Sequence, residues 1–372
     1  MDPINLTLFF TKGVSLATWA SVGMLDRELA LYRAMQQRGA QVRLVSYGRK
    51  DESRFHKHLM GMELIFNRWN LPLDWYIRSL PFSLKAERGQ IFKSNQVSGA
   101  DLALSVAQRK GAKFVARCGY LLSDFESRKY GAGSPEHQKA VSLERQVFEA
   151  ADAIIVTTAK MRDQLLADYA VHENRINLIP NYVETERFAP AQRASHPIPT
   201  VGFVGRLDRQ KNPQLLVEAL ADLDVQVEII GDGPLRKDLE QAASSARARF
   251  HFLGNLPHSQ LPARMAAWDL FVMTSRFEGH PKALIEAMSC ALPVLATRVS
   301  GIKELLQHEV DGLLLEPEAQ ALRAAVQNLL SDQALRVRLG ETARARVLKD
   351  FALDRVVDLE LSLYKRLLGA HA

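Results

Sequence analysis

Short apolar runs recur along the chain, and each is followed by a stretch whose apolar positions repeat with helical spacing. That alternation predicts βα units, a parallel sheet and an α/β fold class. In the first half, strands are expected at Ile4–Phe10, Val42–Tyr47, Gln90–Lys93, Lys113–Arg117, Ala153–Thr157 and Asn177–Ile179, with helices near 22–38, 100–109, 136–150 and 159–168. Residues 50–88 are the least periodic. The pattern restarts with Thr200–Val204, Val225–Ile230, Phe250–Leu253, Leu270–Thr274 and Pro293–Ala296, each trailed by a helical segment. Two similar sheets in series follow from this.

Between them lies Phe188–Pro199, whose three prolines and polar residues disfavour helix and central strand and mark an interdomain linker. It divides the chain into domains 1–190 and 191–351. Beyond the second sheet, 317–348 reads as two surface helices. Residues 353–368 read as an amphipathic one, with Leu353, Val356, Val357, Leu361, Tyr364, Leu367 and Leu368 on one face.

The length of 372 residues also favours two domains over one core. Hydrophobic residues at 47% and charged residues at 24% exclude disordered and fibrous classes. Two cysteines, Cys118 and Cys290, make no disulfide framework or multi-cysteine zinc site, so they are expected to pack as small apolar groups in a reducing compartment, by default the cytoplasm. No run reaches the ~20 apolar residues of a spanning helix, and the chain opens on a strand pattern rather than a basic leader. Of the formal charge of +6, all the excess sits in residues 1–190, which hold 26 Lys and Arg against 20 Asp and Glu; residues 191–372 hold 22 of each. A peripheral contact with the inner membrane surface is one use for such a bias. The basic residues form no consecutive block, and no nucleic-acid partner is expected.

In open parallel sheets, ligands bind beyond the carboxyl ends of strands, so the loops there carry the candidate chemistry. After the first strand, Thr11-Lys12-Gly13-Val14-Ser15 lacks the GxGxxG spacing of a dinucleotide site; Gly13 is either a tight strand exit or a point of close approach to a ligand. After the first strand of the second half, Gly205-Arg206-Leu207-Asp208-Arg209-Gln210-Lys211-Asn212-Pro213 places two cations, Arg206 and Lys211, where a diphosphate can be held. Asn212 is expected to cap the helix that Pro213 opens, and a solvated basic turn is the bland alternative. In Ser275-Arg276-Phe277-Glu278-Gly279-His280-Pro281-Lys282-Ala283-Leu284-Ile285-Glu286, Pro281 opens a helix, Glu278 stands on the loop lip and Glu286 lies inside the helix. Free amides at Lys282, Ala283 and Leu284 suit a phosphate, with the glutamates left for hydroxyls on either side. Surface charge is the alternative.

Taken together, these segments resemble the retaining glycosyltransferases of family four over roughly 177–350. The landmarks are Ile179-Pro180-Asn181-Tyr182-Val183 with Phe188, Gly205-Arg206-Leu207 with Lys211-Asn212-Pro213, Gly231-Asp232-Gly233-Pro234, the Glu278/Glu286 pair, Pro293–Thr297, and Gly301 with Glu304 before Asp311-Gly312-Leu313. The resemblance implies the GT-B fold, two Rossmann-like domains facing each other across a cleft, with 352–372 returning to the first domain. It implies a nucleoside diphosphate sugar as co-substrate and a carbohydrate or glycolipid acceptor, with retention and without metal or other cofactor. Arg206 and Lys211 would hold the diphosphate, Glu278 the sugar and Glu286 the ribose, making Arg206, Lys211 and Glu278 the catalytic candidates. Gly13, Gly205, Gly279, His280, Pro281, Lys282, Ala283 and Leu284 would complete the donor site. A nucleotide-sugar 2-epimerase and a non-catalytic carbohydrate-binding protein of the same fold are the alternatives.

The chain departs from that family in the first half. The family's paired glycines are replaced by Gly13-Val14, and its histidine after the fourth strand by Arg117-Cys118-Gly119-Tyr120. Arg117 and Tyr120 are acceptor-side candidates, against a pairing of Arg117 with a buried acid and packing of Tyr120. Asn95 and Gln96 are candidates too, against a helix cap. Ala291 stands at a glycine position and is expected to strain its turn. The aromatic segment 68–76 either lines an acceptor groove, touches lipid headgroups or packs Trp69 and Trp75 in the core.

Overall fold

Among the described residues every pairing between strands is parallel, and the strands fall into two separate sheets. The computed structural model describes residues 3–84, 89–191 and 197–369. Residues 192–196 of the expected linker, 85–88 of the aperiodic stretch and both chain ends lie outside them. The chain divides into a first unit, Met1–Pro180 with Val356–Ala372, and a second, Asn181–Arg355.

In the first unit the strands are β1 (Asn5–Phe9), β2 (Gln41–Val45), β3 (Glu63–Ile65), β4 (Gln90–Ser94), β5 (Lys113–Cys118), β6 (Ala153–Val156) and β7 (Ile176–Leu178). Their order is β3-β2-β1-β4-β5-β6-β7, so the direction of winding reverses between β1 and β4. In the second, β8 (Thr200–Val204), β9 (Gln226–Ile230), β10 (Arg249–Gly254), β11 (Leu270–Met273), β12 (Val294–Thr297) and β13 (Leu313–Leu315) are ordered β10-β9-β8-β11-β12-β13. Here the reversal lies between β8 and β11. Loops leaving adjacent strands diverge at such points and leave a crevice at the carboxyl edge.

β6 and β11 are apolar along their whole length, as strands covered on both faces are, and every residue of β6, β11 and β12 is buried. Some helices start where the sequence offers a side-chain cap. Ser134 Oγ accepts from the His137 N–H at 3.2 Å ahead of Pro135, opening the helix Pro135–Ala150. The aperiodic stretch contains β3 and a helix, Leu73–Ser83, that carries Pro81 inside it. Asn181, Tyr182, Val183 and Phe188 belong to the second unit, not the first: Asn181 Nδ2 donates to the His280 carbonyl, and Val183 bridges to Ala352. The terminal helix Leu353–Leu367 buries Val356, Val357, Leu361 and Tyr364, and from Val356 onward the chain groups with the first unit.

Candidate functional site

The loop after β8 is built on the loop after β9. The Gly205 N–H donates to the Ile230 carbonyl at 3.0 Å, Leu207 N–H to the Asp232 carbonyl at 3.0 Å, and Leu235 N–H back to the Leu207 carbonyl at 3.0 Å. Backbone meets backbone so closely that a Cβ on Gly231 would collide with the Gly205 carbonyl, and one on Gly233 would lie 2.5 Å from the Leu207 oxygen. Only glycine fits at either place. Arg206 stands at the exposed crest of this turn, its side chain 67% exposed and 3.3 Å from Asp208.

Across the reversal point, the loops after β8 and β11 are tied together. Thr274 Oγ1 donates to the Lys211 carbonyl at 2.9 Å, the Arg276 N–H to the Gln210 carbonyl at 2.8 Å, and Gln210 Nε2 to the Phe277 carbonyl at 3.2 Å. Lys211 Nζ lies 2.5 Å from Glu278 Oε1, which also accepts from Ser275 Oγ at 2.6 Å. Glu278 therefore does not stand out on a lip. Its side chain is 6% exposed and folded inward, because two donors hold it there. Asn212 does not cap with its side chain: its backbone is left-handed at φ +49, a conformation asparagine tolerates, and its Oδ1 faces Arg276 Nη2 at 3.4 Å.

Pro281 precedes the helix Lys282–Ser289, and no side chain caps it. The first-turn amides of a helix have no partner within it and carry the positive end of its dipole. The loop leading in, Gly279-His280-Pro281, is fixed from outside. Asn181 Nδ2 donates to the His280 carbonyl at 2.5 Å, and the His280 ring meets Phe351 edge-on at 5.2 Å. Lys282 Nζ sits 4.8 Å above the Tyr182 ring. A Cβ on Gly301 would strike the carbonyl oxygens of Gly279 and Glu278. The distant landmarks Asn181, Tyr182 and Gly301 thus act on one loop. Ala283 and Leu284 follow in the first helical turn.

Glu286 is on that helix and 2% exposed. Its Oε1 lies 2.8 Å from Nε2 of His258, whose side chain is 4% exposed and comes from the turn after β10. Sequence reasoning missed His258. Its only signal is its place just past the carboxyl end of a strand.

In the first unit, Asn95 and Thr11 stand on either side of the β1/β4 reversal, with Asn95 Nδ2 3.3 Å from Thr11 Oγ1. Gln96 Oε1 accepts from the Gly119 N–H at 3.0 Å, and Arg117 Nη1 lies 3.4 Å from the Asn95 carbonyl. Neither Asn95 nor Gln96 caps the next helix, Ala100–Lys110, which begins after Gly99 without a side-chain cap. Tyr120 is 40% exposed. Asn95, Gln96, Arg117 and Tyr120 are therefore neighbours at one sheet end. Gly13 has φ +79 with open space beside it. The helix that follows, Leu16–Ser21, is not open to an anion: its Leu16 and Ala17 amides donate to the carboxylate of buried Glu52 at 3.1 and 3.0 Å. Trp69 and Trp75 are not core residues, being 63% and 68% exposed. Among the described residues, no helix is long and apolar enough to cross a membrane.

Two family models match the chain, "Glycosyltransferase Family 4" over residues 29–187 and "Glycosyl transferases group 1" over 185–346. The 2-deoxystreptamine glucosyltransferase of Streptomyces kanamyceticus is 30% identical over 63% of this chain and 65% of its own. The alpha-D-kanosaminyltransferase of the same organism is 27% identical over 60% and 63%. The match thus spans less than two thirds of either relative. Among solved structures, sucrose-phosphate synthase from Thermosynechococcus elongatus aligns over 99% of this chain and 100% of its own at TM-score 0.80 and 22% identity. Anabaena HepE, solved in complex with UDP and glucose, aligns over 97% and 99% at TM-score 0.75 and 19% identity. With one model meeting the other near residue 186, in the stretch that enters the second unit, the chain belongs to the glycosyltransferases of family four and has their GT-B fold.

Proposed function

We propose that this protein transfers a sugar from a nucleoside diphosphate donor to a hydroxyl of a carbohydrate or glycolipid acceptor, with retention at the anomeric carbon. The observation that carries the reading is the joint between Lys211 and Glu278, which sets a cation and a carboxylate beside an uncapped helix start at the reversal point. The diphosphate lies on the amides of Lys282, Ala283 and Leu284, with Arg206 and Lys211 as counter-cations. Glu278 accepts from the sugar hydroxyls and Glu286 from the ribose hydroxyls. Gly205, Gly279, His280 and Pro281 shape the backbone around them, and Gly13 leaves room in the first unit.

As the bond from the anomeric carbon to the phosphate oxygen breaks, negative charge grows on the leaving diphosphate. Cations and helix-end amides stabilise that charge more than they stabilise the bound donor, which is what accelerates the step. The acceptor oxygen bonds to the same face of the anomeric carbon, and its proton passes to the departing phosphate oxygen. Because protein cations and amides meet the charge, turnover proceeds without a divalent metal and is unchanged by EDTA. The cluster of Asn95, Gln96, Arg117 and Tyr120 serves the acceptor. A panel of UDP-, GDP- and ADP-sugars with sugar and glycolipid acceptors tests the reading: nucleoside diphosphate must appear in step with glycosylated acceptor. Conversion of donor without acceptor would instead identify an epimerase.

The protein works at the cytoplasmic face of a membrane. Trp75 and Phe82, 68% and 86% exposed, share the outer side of the helix Leu73–Ser83 with Arg78, and Arg68 stacks over exposed Trp69 at 4.0 Å. Amphipathic rings with arginines suit the boundary between headgroups and acyl chains. Co-sedimentation with phosphatidylglycerol vesicles, lost in Trp75→Ser/Phe82→Ser and absent with phosphatidylcholine alone, tests this.

A further inference from the structure

His258 is a costly residue where it stands. Its side chain is 4% exposed, its ring packs 5.1 Å from that of Phe188, and its Nδ1 is buried with no hydrogen-bond partner among the described residues. An apolar side chain would fill this place without a half-satisfied imidazole. What the imidazole supplies is one bond, from Nε2 to Glu286 Oε1 at 2.8 Å. The tautomer with its hydrogen on Nε2 makes that bond and leaves a lone pair, not an N–H, unmatched at Nδ1.

The arrangement is braced from a third element. Phe188, the wall behind the ring, is 0% exposed, and its carbonyl accepts from Ser289 Oγ at 2.6 Å and Arg344 Nη1 at 3.0 Å. Ser289 is on the same helix as Glu286. Ring, wall and carboxylate are thus held in one register by segments far apart in the chain.

We infer that His258 is the positioning residue for nucleoside recognition: by holding Oε1 of Glu286 it fixes the carboxylate in the orientation that accepts from the ribose hydroxyls. The inference rests on the proposed role of Glu286. A carboxylate has about four acceptor sites, and His258 takes one of them. A fixed acceptor distinguishes ligands that bear hydroxyls from those that lack them far better than one free to turn.

Equilibrium binding of UDP, GDP and ADP, of their 2′,3′-dideoxy counterparts and of inorganic pyrophosphate is measured for the wild type, His258→Leu and His258→Gln. The wild type is expected to prefer one of the ribonucleotides over its dideoxy form by about tenfold or more. His258→Leu loses that preference with pyrophosphate affinity unchanged. His258→Gln, whose amide nitrogen reaches toward the place of Nε2, retains it. Full preference in His258→Leu would overturn the inference, as would equal loss of nucleotide and pyrophosphate binding in both variants, which marks a structural role. Should His258→Leu not fold, His258→Asn, with an amide too short to reach Glu286, takes its place under the same criteria. A wild type without any preference would remove the ribose role of Glu286 itself, and the inference with it.

Discussion

Lys93 Nζ lies 2.6 and 2.8 Å from the two carboxylate oxygens of Glu360, and both side chains are buried, 0% and 2% exposed. The lysine is on β4 and the glutamate on the terminal helix, where Tyr364 also donates to the carboxylate. This pair fixes the returning end of the chain to the first sheet. Removing one partner leaves a buried charge uncompensated, so Glu360→Ala is expected to cost about 3–5 kcal/mol in urea unfolding of the first unit. Burial already holds the Lys93 ammonium below its ordinary basicity, with Glu360 opposing that shift. Below the ordinary lysine value the unfolded chain then binds more protons than the folded one, so stability rises with pH through that window. In Glu360→Ala the recovery on raising pH from neutrality is larger than in the wild type.

Ala291 has φ +52 in the turn after the helix Lys282–Ser289. A left-handed conformation costs a non-glycine residue roughly 1–2 kcal/mol, part of which glycine loses again to the entropy of the unfolded chain. Ala291→Gly is expected to raise stability by about 0.5–1 kcal/mol with turnover unchanged, read from the urea midpoint and the steady-state rate.

Gly301 abuts the carbonyls of Glu278 and Gly279 with no space for a methyl group. Gly301→Ala must displace the loop that carries the donor-site backbone. A displacement near 1 Å costs on the order of 100-fold in rate, so kcat/KM is expected to fall about 10- to 100-fold while the chain stays folded by circular dichroism.

Cys118 and Cys290 are 0% and 2% exposed, and burial pushes the Cys118 thiol well above its usual range. Neither is expected to react with a thiol reagent in the native protein. Each is expected to react as guanidinium unfolds the unit that holds it.

The strands were legible because a strand covered on both faces reads as an unbroken apolar run, as in Ala153–Val156 or Leu270–Met273. β3 and β13 were not: each is three residues long, β3 within the least periodic stretch and β13 just before the segment read as surface helices. The helix Leu73–Ser83 was hidden by Pro81 and by apolar residues on both its faces. At the site, position just past a strand singled out the loops that carry Lys211, Glu278 and the helix start, and the resemblance to the family, not the spacing, gave those residues their roles. Spacing could not show that Lys211 and Glu278 pair, nor that His258 holds Glu286 or Lys93 holds Glu360. Such partners meet only when non-adjacent strands and helices assemble, and a polar residue leaves no mark in the local pattern of the one it will face.

Determining the crystal structure of the protein soaked with UDP-, GDP- and ADP-sugars tests the central claim most directly. A diphosphate is expected on the amides of Lys282, Ala283 and Leu284, within reach of Arg206 and Lys211, with the sugar on Glu278 and the ribose on Glu286. A nucleotide sugar bound with its phosphates away from that helix start would contradict it.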